Sequence, residues 1–224
     1  MPKVAAPLST TSFLRNLREQ YCESAKLHAL VEPHGFSVLA DFLANWEAIE
    51  EFYATFYSQG FPKTVLCGLN PGRLGAGKTG IPFVDFASLS ELMDGIDRRD
   101  EERSATFFHS VVSHFEATGF YRSFYVTNVS WVGFVKGRKN ANYDVLPPEA
   151  QAFIFERFRE EIELVGPERI ISISKPVHST IRSLFSKRID TSLCLPHPNW
   201  CAFPQNCKDA KEKYITKLSQ FTKC

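Results

Sequence analysis

Short runs of apolar and β-branched residues alternate with amphipathic segments along most of the chain. The runs that predict buried parallel strands are 63–69, 124–129, 169–173 and 192–195. Apolar residues recur at helical spacing over about 104–118, 148–164, 176–186 and 207–221. Strands that alternate with helices predict an α/β fold, a three-layer domain in which a central four-stranded parallel sheet carries helices on both faces.

Two amphipathic helices are predicted before the first of these strands. Polar residues 9–12 can cap a helix whose apolar positions run over 13–22, and a wider apolar stripe covers about 38–58. No linker rich in glycine, serine or proline divides the chain. We therefore expect the whole chain to be one domain, with N-terminal helices over 1–60 and a core region over 61–224.

Composition places the chain among ordinary globular proteins. It has 224 residues, of which 44% are hydrophobic and 23% charged, which argues against a disordered chain, a collagen or a coiled coil. No stretch approaches the roughly 18–20 apolar residues of a membrane span, so no membrane partner is expected.

Six cysteines are scattered singly, without a C-x-x-C pair or a cluster at zinc spacing. This predicts reduced thiols, no metal site, and a protein of a reducing intracellular compartment, cytoplasmic in a bacterium or nuclear in a eukaryote. The cysteines are Cys22, Cys67, Cys194, Cys201, Cys207 and Cys224.

The formal net charge of +1 conceals an uneven distribution. Three segments, 61–84, 117–143 and 169–189, contain twelve lysines and arginines and no acid. Because these segments include strand ends, they predict one basic face, which is typical of proteins that bind a phosphate backbone. The alternative is that these charges are scattered over several solvated faces.

Residues 72–79 fit the phosphate-binding pattern G-x-x-x-x-G-K-[ST] and follow a predicted strand. A working P-loop needs a helix that starts at its Lys-Thr pair, whereas Pro82 follows almost at once and would break such a helix. A later strand that ends in aspartate is also missing. A P-loop NTPase that uses Gly72–Thr79 therefore remains only an alternative.

A longer string, G-L-N-P-G-R-L-G at 68–75 followed by T-G-I-P-F at 79–83, carries a family resemblance. It resembles the first motif of the uracil-DNA glycosylase superfamily, in particular the single-strand-selective monofunctional uracil-DNA glycosylases, with G-M-N-P-G-P-F-G and T-G-V-P-F. Y-V-T-N at 125–128 resembles the strand end that carries the family's base-reading asparagine. H-P-N-W at 197–200 resembles its second motif, H-P-S-P. The resemblance extends from about residue 63 to the C-terminus.

The resemblance implies a uracil-DNA glycosylase-like fold with two extra N-terminal helices. It further implies a DNA-repair hydrolase that removes uracil from DNA and leaves an abasic site, with related deaminated or oxidised pyrimidines as further candidate substrates. Because no lysine lies in an apolar strand-end setting that would suggest a Schiff-base nucleophile, we expect the enzyme to be monofunctional. No cofactor is expected, and the chain is expected to be a monomer whose partner is DNA with uracil or a damaged pyrimidine. A non-catalytic nucleic-acid-binding module on the same fold is a second alternative.

The same resemblance implies two catalytic residues. Asn70 would position the water that attacks C1′ of the sugar. His197 would donate a hydrogen bond to uracil O2 as negative charge develops there, together with the backbone N–H of Leu69, and a neutral imidazole is sufficient for this. Taken alone, Asn70 is also consistent with a turn residue before proline, and His197 with a structural histidine.

Recognition of the base is expected from Phe83 and Asn128. Phe83 would stack on the flipped base, and the Asn128 carboxamide would match the polar edge of uracil but not that of cytosine. The alternatives are that Phe83 is an ordinary core residue and that Asn128 caps the end of a strand.

Contacts to the DNA backbone and to the vacated stack complete the expected site. Gly72 and Gly75 would let the chain approach phosphates closely, and a helix that starts near residue 176 would provide an anion site. Trp200 or Phe203 would fill the gap left by the flipped base, although N-W-C-A-F stands where the family has S-P-R-N-P, which leaves the strand preference open. The expected DNA-binding residues are Gly72, Arg73, Ser174, Lys175, Pro198, Asn199 and Trp200.

Overall fold

A computed structural model describes residues 10–19 and 25–222. In these ranges the strands are β1 (Phe36–Val38), β2 (Thr64–Gly68), β3 (Phe124–Asn128), β4 (Phe134–Lys136), β5 (Lys139–Ala141), β6 (Arg169–Ile173) and β7 (Cys194–Leu195). The helices are α1 (Thr10–Leu17), α2 (Ala25–Val31), α3 (Trp46–Tyr57), α4 (Ala76–Thr79), α5 (Phe86–Leu92), α6 (Arg103–His114), α7 (Ala117–Ser123), α8 (Pro148–Val165), α9 (Lys175–Phe185), α10 (Pro198–Cys201) and α11 (Pro204–Leu218).

The central sheet has four parallel strands in the order β3-β2-β6-β7. Gly68 is opposite Asn128, and Ile173 is opposite Leu195, so the carboxyl ends of the strands share one edge. The predicted α/β fold with this sheet and helices on both faces is confirmed. Three strands match their predicted bounds within one residue, whereas β7 is two residues shorter than expected.

Burial explains why these strands were visible as continuous apolar runs. Every residue of β2 and β3 is buried, because helices cover both faces of the sheet. The longest helix, α8, buries one stripe that includes Phe153, Ile154 and Phe158, and each such side chain contributes roughly 1.5–3 kcal/mol. It ends at Gly166, whose positive φ of 58° reverses the chain.

The N-terminal region differs from the two helices that were predicted. Three helices, α1 to α3, and the strand β1 precede β2, and residues 20–22 of the first predicted helix lie outside the described ranges. The predicted helix over 38–58 is divided into the end of β1, a 3-10 turn at Asp41–Asn45, and α3. Tertiary bonds cause this division, because the Leu39 N–H donates to the Gly133 carbonyl at 2.8 Å and the Asn45 amide donates to the Lys78 carbonyl at 3.0 Å.

A small antiparallel sheet in the order β1-β4-β5 was not predicted. It pairs Val38 with Phe134, and Phe134 with Ala141. The hairpin formed by β4 and β5 closes on the loop after β2, since a side chain at Gly133 would overlap the Pro71 carbonyl. None of the helices in the described ranges is long and apolar enough to cross a membrane.

Candidate active site

A cavity of about 290 Å³ opens at the carboxyl edge of the central sheet. The loops after β2, β3 and β7, the hairpin β4–β5 and the start of α6 form its wall. Seven of the predicted site residues line it: Leu69, Asn70, Gly72, Phe83, Asn128, His197 and Asn199. Five others do not: Arg73, Ser174, Lys175, Pro198 and Trp200.

The Asn70 carboxamide is held in a fixed orientation by backbone groups. Its Nδ2 donates to the carbonyls of Ala141 at 3.2 Å and Pro71 at 3.3 Å, and its Oδ1 accepts from the Tyr143 N–H at 3.1 Å. An amide has two donor hydrogens and two acceptor lone pairs on oxygen. Both hydrogens are therefore engaged, and one lone pair of Oδ1 is left to accept a hydrogen bond from a molecule in the cavity.

His197 is fixed as a neutral donor. It precedes α10, and its Nδ1 accepts the Asn199 N–H at 3.1 Å, which places the ring proton on Nε2. Burial lowers the pKa of the imidazole below its usual value of 6.5, so the ring is uncharged at neutral pH. The side chain can thus donate one hydrogen bond to an oxygen in the cavity.

Phe83 and Asn128 lie together over Gly68 at the end of β2. A side chain at Gly68 would overlap both the Asn128 Oδ1 and the Phe83 ring. Phe83 has a positive φ of 60°, and one face of its ring stacks on Phe108 with centroids 4.7 Å apart and an angle of 22°. Within the described ranges, no residue hydrogen-bonds the Asn128 side chain, which is 4% exposed. The flat apolar ring of Phe83 therefore lies beside the unpaired carboxamide of Asn128.

The P-loop pattern has no phosphate-binding geometry. The helix α4 has only four residues and ends at Gly80, where φ is +74°. Lys78 Nζ contacts Asp100 Oδ1 at 2.7 Å, and the Thr79 hydroxyl donates to the Val84 carbonyl at 2.6 Å. Because both polar side chains are engaged internally, the NTPase alternative is not favoured.

Four polar residues of the cavity wall were not predicted: Glu102, Ser104, Asn140 and Asn142. The Glu102 carboxyl lies over two glycines of the β2 loop. A Cβ at Gly72 would be 2.5 Å from its Oε1, and a Cβ at Gly75 would overlap its Oε2. The expectation that these glycines leave room for phosphates needs correction, because Glu102 fills that space. Burial raises the pKa of Glu102, and the nearby Asp85 charge raises it further.

The predicted anion site lies on the same edge of the sheet but outside the cavity. Ser174 links β6 to α9 with an unusual φ of 118°, and it is 7% exposed. Its buried hydroxyl has no hydrogen-bond partner among the described residues. Lys175, the first residue of α9, is exposed.

Trp200 and Phe203, the two candidates to fill the gap left by the flipped base, differ in exposure. Trp200 is 54% exposed and Phe203 is 38% exposed. The Arg103 guanidinium lies 4.7 Å from the centroid of the Phe203 ring and holds it in place. Trp200 is therefore the more accessible of the two, whereas Pro198 beside it is buried.

The predicted basic face is smaller than the sequence indicated. Lys63 and Arg122 shortly precede β2 and β3, and Arg169 begins β6, so all three lie on the opposite edge of the sheet. Lys78 pairs with Asp100. The basic residues that adjoin the carboxyl edge are Arg73, Lys136, Arg138, Lys139 and Lys175. Three of these lie in the hairpin β4–β5 or its turn.

The cysteines that the structure describes are free thiols: Cys67, Cys194, Cys201 and Cys207. Cys22 and Cys224 fall outside the described ranges. Within those ranges, no group of three or more histidine, cysteine, aspartate and glutamate side chains is arranged to hold a metal ion.

Comparisons with known proteins identify the family and a similar fold. A family model described as the uracil DNA glycosylase superfamily matches residues 55–219. Among solved structures, wild-type SMUG2 of Pedobacter heparinus is similar with a TM-score of 0.71 and 23% identity, over 83% of this chain and 88% of that one. A search of curated proteins gave no significant match.

Proposed function

The chain belongs to the uracil DNA glycosylase superfamily, and from this premise we propose that it hydrolyses the N-glycosidic bond of uracil in DNA and leaves an abasic site. One observation carries the proposal. A single cavity brings together an oriented amide at Asn70, a neutral donor at His197, and the pair formed by Phe83 and Asn128.

The target base must leave the duplex stack before it reaches this cavity. The free face of Phe83 would stack on the base, which contributes roughly 1–3 kcal/mol but does not distinguish uracil from cytosine. Asn128 supplies that distinction, because its Nδ2 can donate to uracil O4 and its Oδ1 can accept from uracil N3–H. Cytosine instead presents a donor at its 4-amino group and an acceptor at N3, so both hydrogen bonds would be mismatched.

Cleavage requires a water on one side of C1′ and support for the departing base on the other. The free lone pair of Asn70 Oδ1 accepts one hydrogen of that water and fixes its position. The His197 Nε2–H and the Leu69 backbone N–H donate to uracil O2 as negative charge develops there. Such fixed donors act most strongly in the transition state, where the charge is largest.

The DNA backbone would follow the basic residues at the same edge of the sheet. Arg73, Arg138 and Lys139 are exposed beside the cavity, and Ser174 and Lys175 stand at the N-terminus of α9, whose backbone amides would favour a phosphate. Trp200 would enter the space that the flipped base leaves. We place the enzyme as a monomer in a reducing intracellular compartment.

A monofunctional mechanism is favoured by the composition of the cavity. No lysine is among the described residues that line it, so a Schiff base with the sugar has no amine to form it. Hydrolysis by water is then the remaining route, and an abasic site is the product.

The test uses labelled oligonucleotides that contain one uracil, in single-stranded and double-stranded form. After incubation with the protein, alkali should break the strand at the uracil, and matched oligonucleotides with thymine or cytosine should stay intact. Other damaged pyrimidines, including hydroxymethyluracil, are compared in the same assay. If neither uracil substrate is cleaved, the proposal is wrong, and DNA binding without base release would instead identify a binding module.

A further inference from the structure

Glu102 occupies the cavity without a role in the mechanism proposed above. It precedes α6, but its side chain does not cap that helix. Its backbone N–H donates to Asp85 Oδ2 at 2.7 Å, and Asp85 Oδ1 accepts from the Ser88 N–H at 2.8 Å. This anchor fixes the backbone of Glu102 and leaves its carboxyl in the cavity wall, against the loop that carries Asn70.

The Glu102 carboxyl lies against the loop that carries Asn70, and both residues line the same cavity. Its Oε1 is 2.5 Å, and the Asn140 Nδ2 is 3.3 Å, from the point where a side chain at Gly72 would begin. Gly72 is two residues from Asn70 and lines the same cavity. A carboxylate oxygen and an amide donor thus lie beside Gly72, on the loop that carries Asn70 and in the same cavity.

The other polar groups of the cavity cannot accept a proton from water. Asn70 is an amide and has no basic nitrogen. The one unprotonated nitrogen of His197 is occupied by the Asn199 N–H, and its other nitrogen carries a hydrogen. The remaining polar side chains of the described cavity wall are amides and the Ser104 hydroxyl. Glu102 supplies the carboxylate that this set otherwise lacks.

We infer that Glu102 is a third catalytic residue, the general base that takes the proton of the attacking water, an inference that rests on the proposed glycosylase function. The water oxygen forms a bond to C1′, and its proton passes to a Glu102 carboxylate oxygen. The C1′–N1 bond breaks, and its electron pair leaves with the base as an anion held by the His197 Nε2–H. Glu102 then releases its proton to solvent, and the base anion takes one from solvent.

The surroundings of Glu102 suit a base. Burial raises the pKa of its carboxyl, the Asp85 charge raises it further, and a hydrogen bond with Ser104 partly offsets both. A carboxylate with a raised pKa binds a proton more strongly in the transition state. His197 faces the same cavity, and burial lowers the pKa of its imidazole below its usual value of 6.5. Activity should therefore decline as the pH falls through the Glu102 pKa.

The test measures single-turnover excision of uracil across pH for the wild type and for Glu102→Gln. Glutamine keeps the shape of the side chain but is no base, so we expect the rate to fall about 10²- to 10⁴-fold at neutral pH. The decline at acid pH should disappear, and affinity for uracil-containing DNA should stay within about threefold, as anisotropy would measure. Glu102→Asp should keep part of the rate. Glu101→Gln, an exposed neighbour, is the matched control and should leave rate and pH profile unchanged.

The outcomes separate the two proposals. A wild type that excises no uracil overturns the proposed function and this inference together. An active wild type with a Glu102→Gln variant of equal rate and equal pH profile overturns the role of Glu102 alone. A variant that binds DNA more tightly and reacts faster also contradicts it, because Glu102 would then merely repel a phosphate. Circular dichroism and thermal unfolding of each variant establish that it is folded.

Discussion

Two of the carboxyl groups that the structure describes have a pKa raised by burial, yet they lie in different surroundings. Glu102 lines the cavity. Glu161, on α8, is 5% exposed and accepts hydrogen bonds from Tyr125 Oη at 2.8 Å and Thr127 Oγ1 at 2.6 Å. Tyr125 and Thr127 lie on one face of β3, which meets Glu161. Asn128 lies on the other face, which meets the cavity. A raised pKa therefore identifies burial, and only access to the cavity distinguishes a group that can react.

The largest expected effect is at Asn70. Asn70→Ala removes the oxygen that would hold the water, and we expect the excision rate to fall by about 10³-fold or more, with His197→Ala comparable. Thr127→Val, next to the cavity residue Asn128 but on the Glu161 side of β3, should change the rate less than about tenfold while it lowers stability by about 1–3 kcal/mol. Single-turnover assays measure the excision rates, and urea unfolding measures the stability of each variant. Equal loss of rate in the Asn70 and Thr127 variants would contradict the separation of the two faces.

The next effect is the pH dependence of stability. Burial raises the pKa of Glu161 from 4.5 to about 7, so between these values the folded state holds more protons than the unfolded state. The free energy of unfolding should therefore decrease by about 3 kcal/mol as the pH rises from about 4.5 to about 7, and this loss should level off at higher pH.

Glu161→Gln removes the titrating group and serves as the comparison. Urea unfolding of the wild type and of this variant at several pH values gives the difference in slope. The wild-type slope should be the steeper over this range. Equal slopes would show that Glu161 does not titrate there.

A smaller effect is expected where the base would stack. Phe83→Leu keeps an apolar contact with Phe108 but loses the flat ring, which should weaken binding of uracil DNA by about 5- to 150-fold, equivalent to about 1–3 kcal/mol. The expected change is in the substrate concentration at half-maximal single-turnover rate. If the variant is less stable but binds uracil DNA as tightly as the wild type, Phe83 is an ordinary core residue.

The smallest effect concerns the hairpin turn. Arg138→Gln should lower DNA affinity a few-fold at low salt and reduce the slope of log affinity against log salt by about 0.7–0.9, the value for one phosphate contact. Lys63→Gln, at the opposite edge of the sheet, is the control and should leave the slope unchanged. Anisotropy titrations at several salt concentrations make the comparison, and equal slopes for all three proteins would remove the hairpin from the DNA interface.

The central sheet was predictable because its strands are buried on both faces and are therefore continuous apolar runs in the sequence. The family predicted from three motifs is confirmed as well. The small sheet was not predictable, since β1, β4 and β5 have three residues each and Lys139 and Asn140 give β5 no apolar alternation. Their pairing depends on contacts between distant segments, such as Leu39 with Gly133.

The site was predictable where it follows strand ends, since parallel strands bring their carboxyl ends to one edge. Asn70, Asn128 and His197 meet in one cavity for that reason. The position of Glu102 was not predictable, because it follows no strand and matches no motif. It lies in a run of acidic residues that the sequence explains only as a balance to basic charge elsewhere. Its contact with Gly72 and Gly75 depends on the path of the chain between α5 and α6, which no local pattern fixes.

The bonds that orient Asn70 couple the candidate active site to elements outside the central sheet. Ala141 and Tyr143 belong to a hairpin and a 3-10 turn outside the central sheet, and their backbone groups hold the Asn70 carboxamide. Short peripheral elements open at a lower free energy than core strands, while the rest of the molecule stays folded. On warming, the hairpin would release Asn70 before the central sheet unfolds. We predict that this local opening, and not unfolding of the central sheet, limits activity at high temperature, and amide hydrogen exchange at Tyr143 would report it.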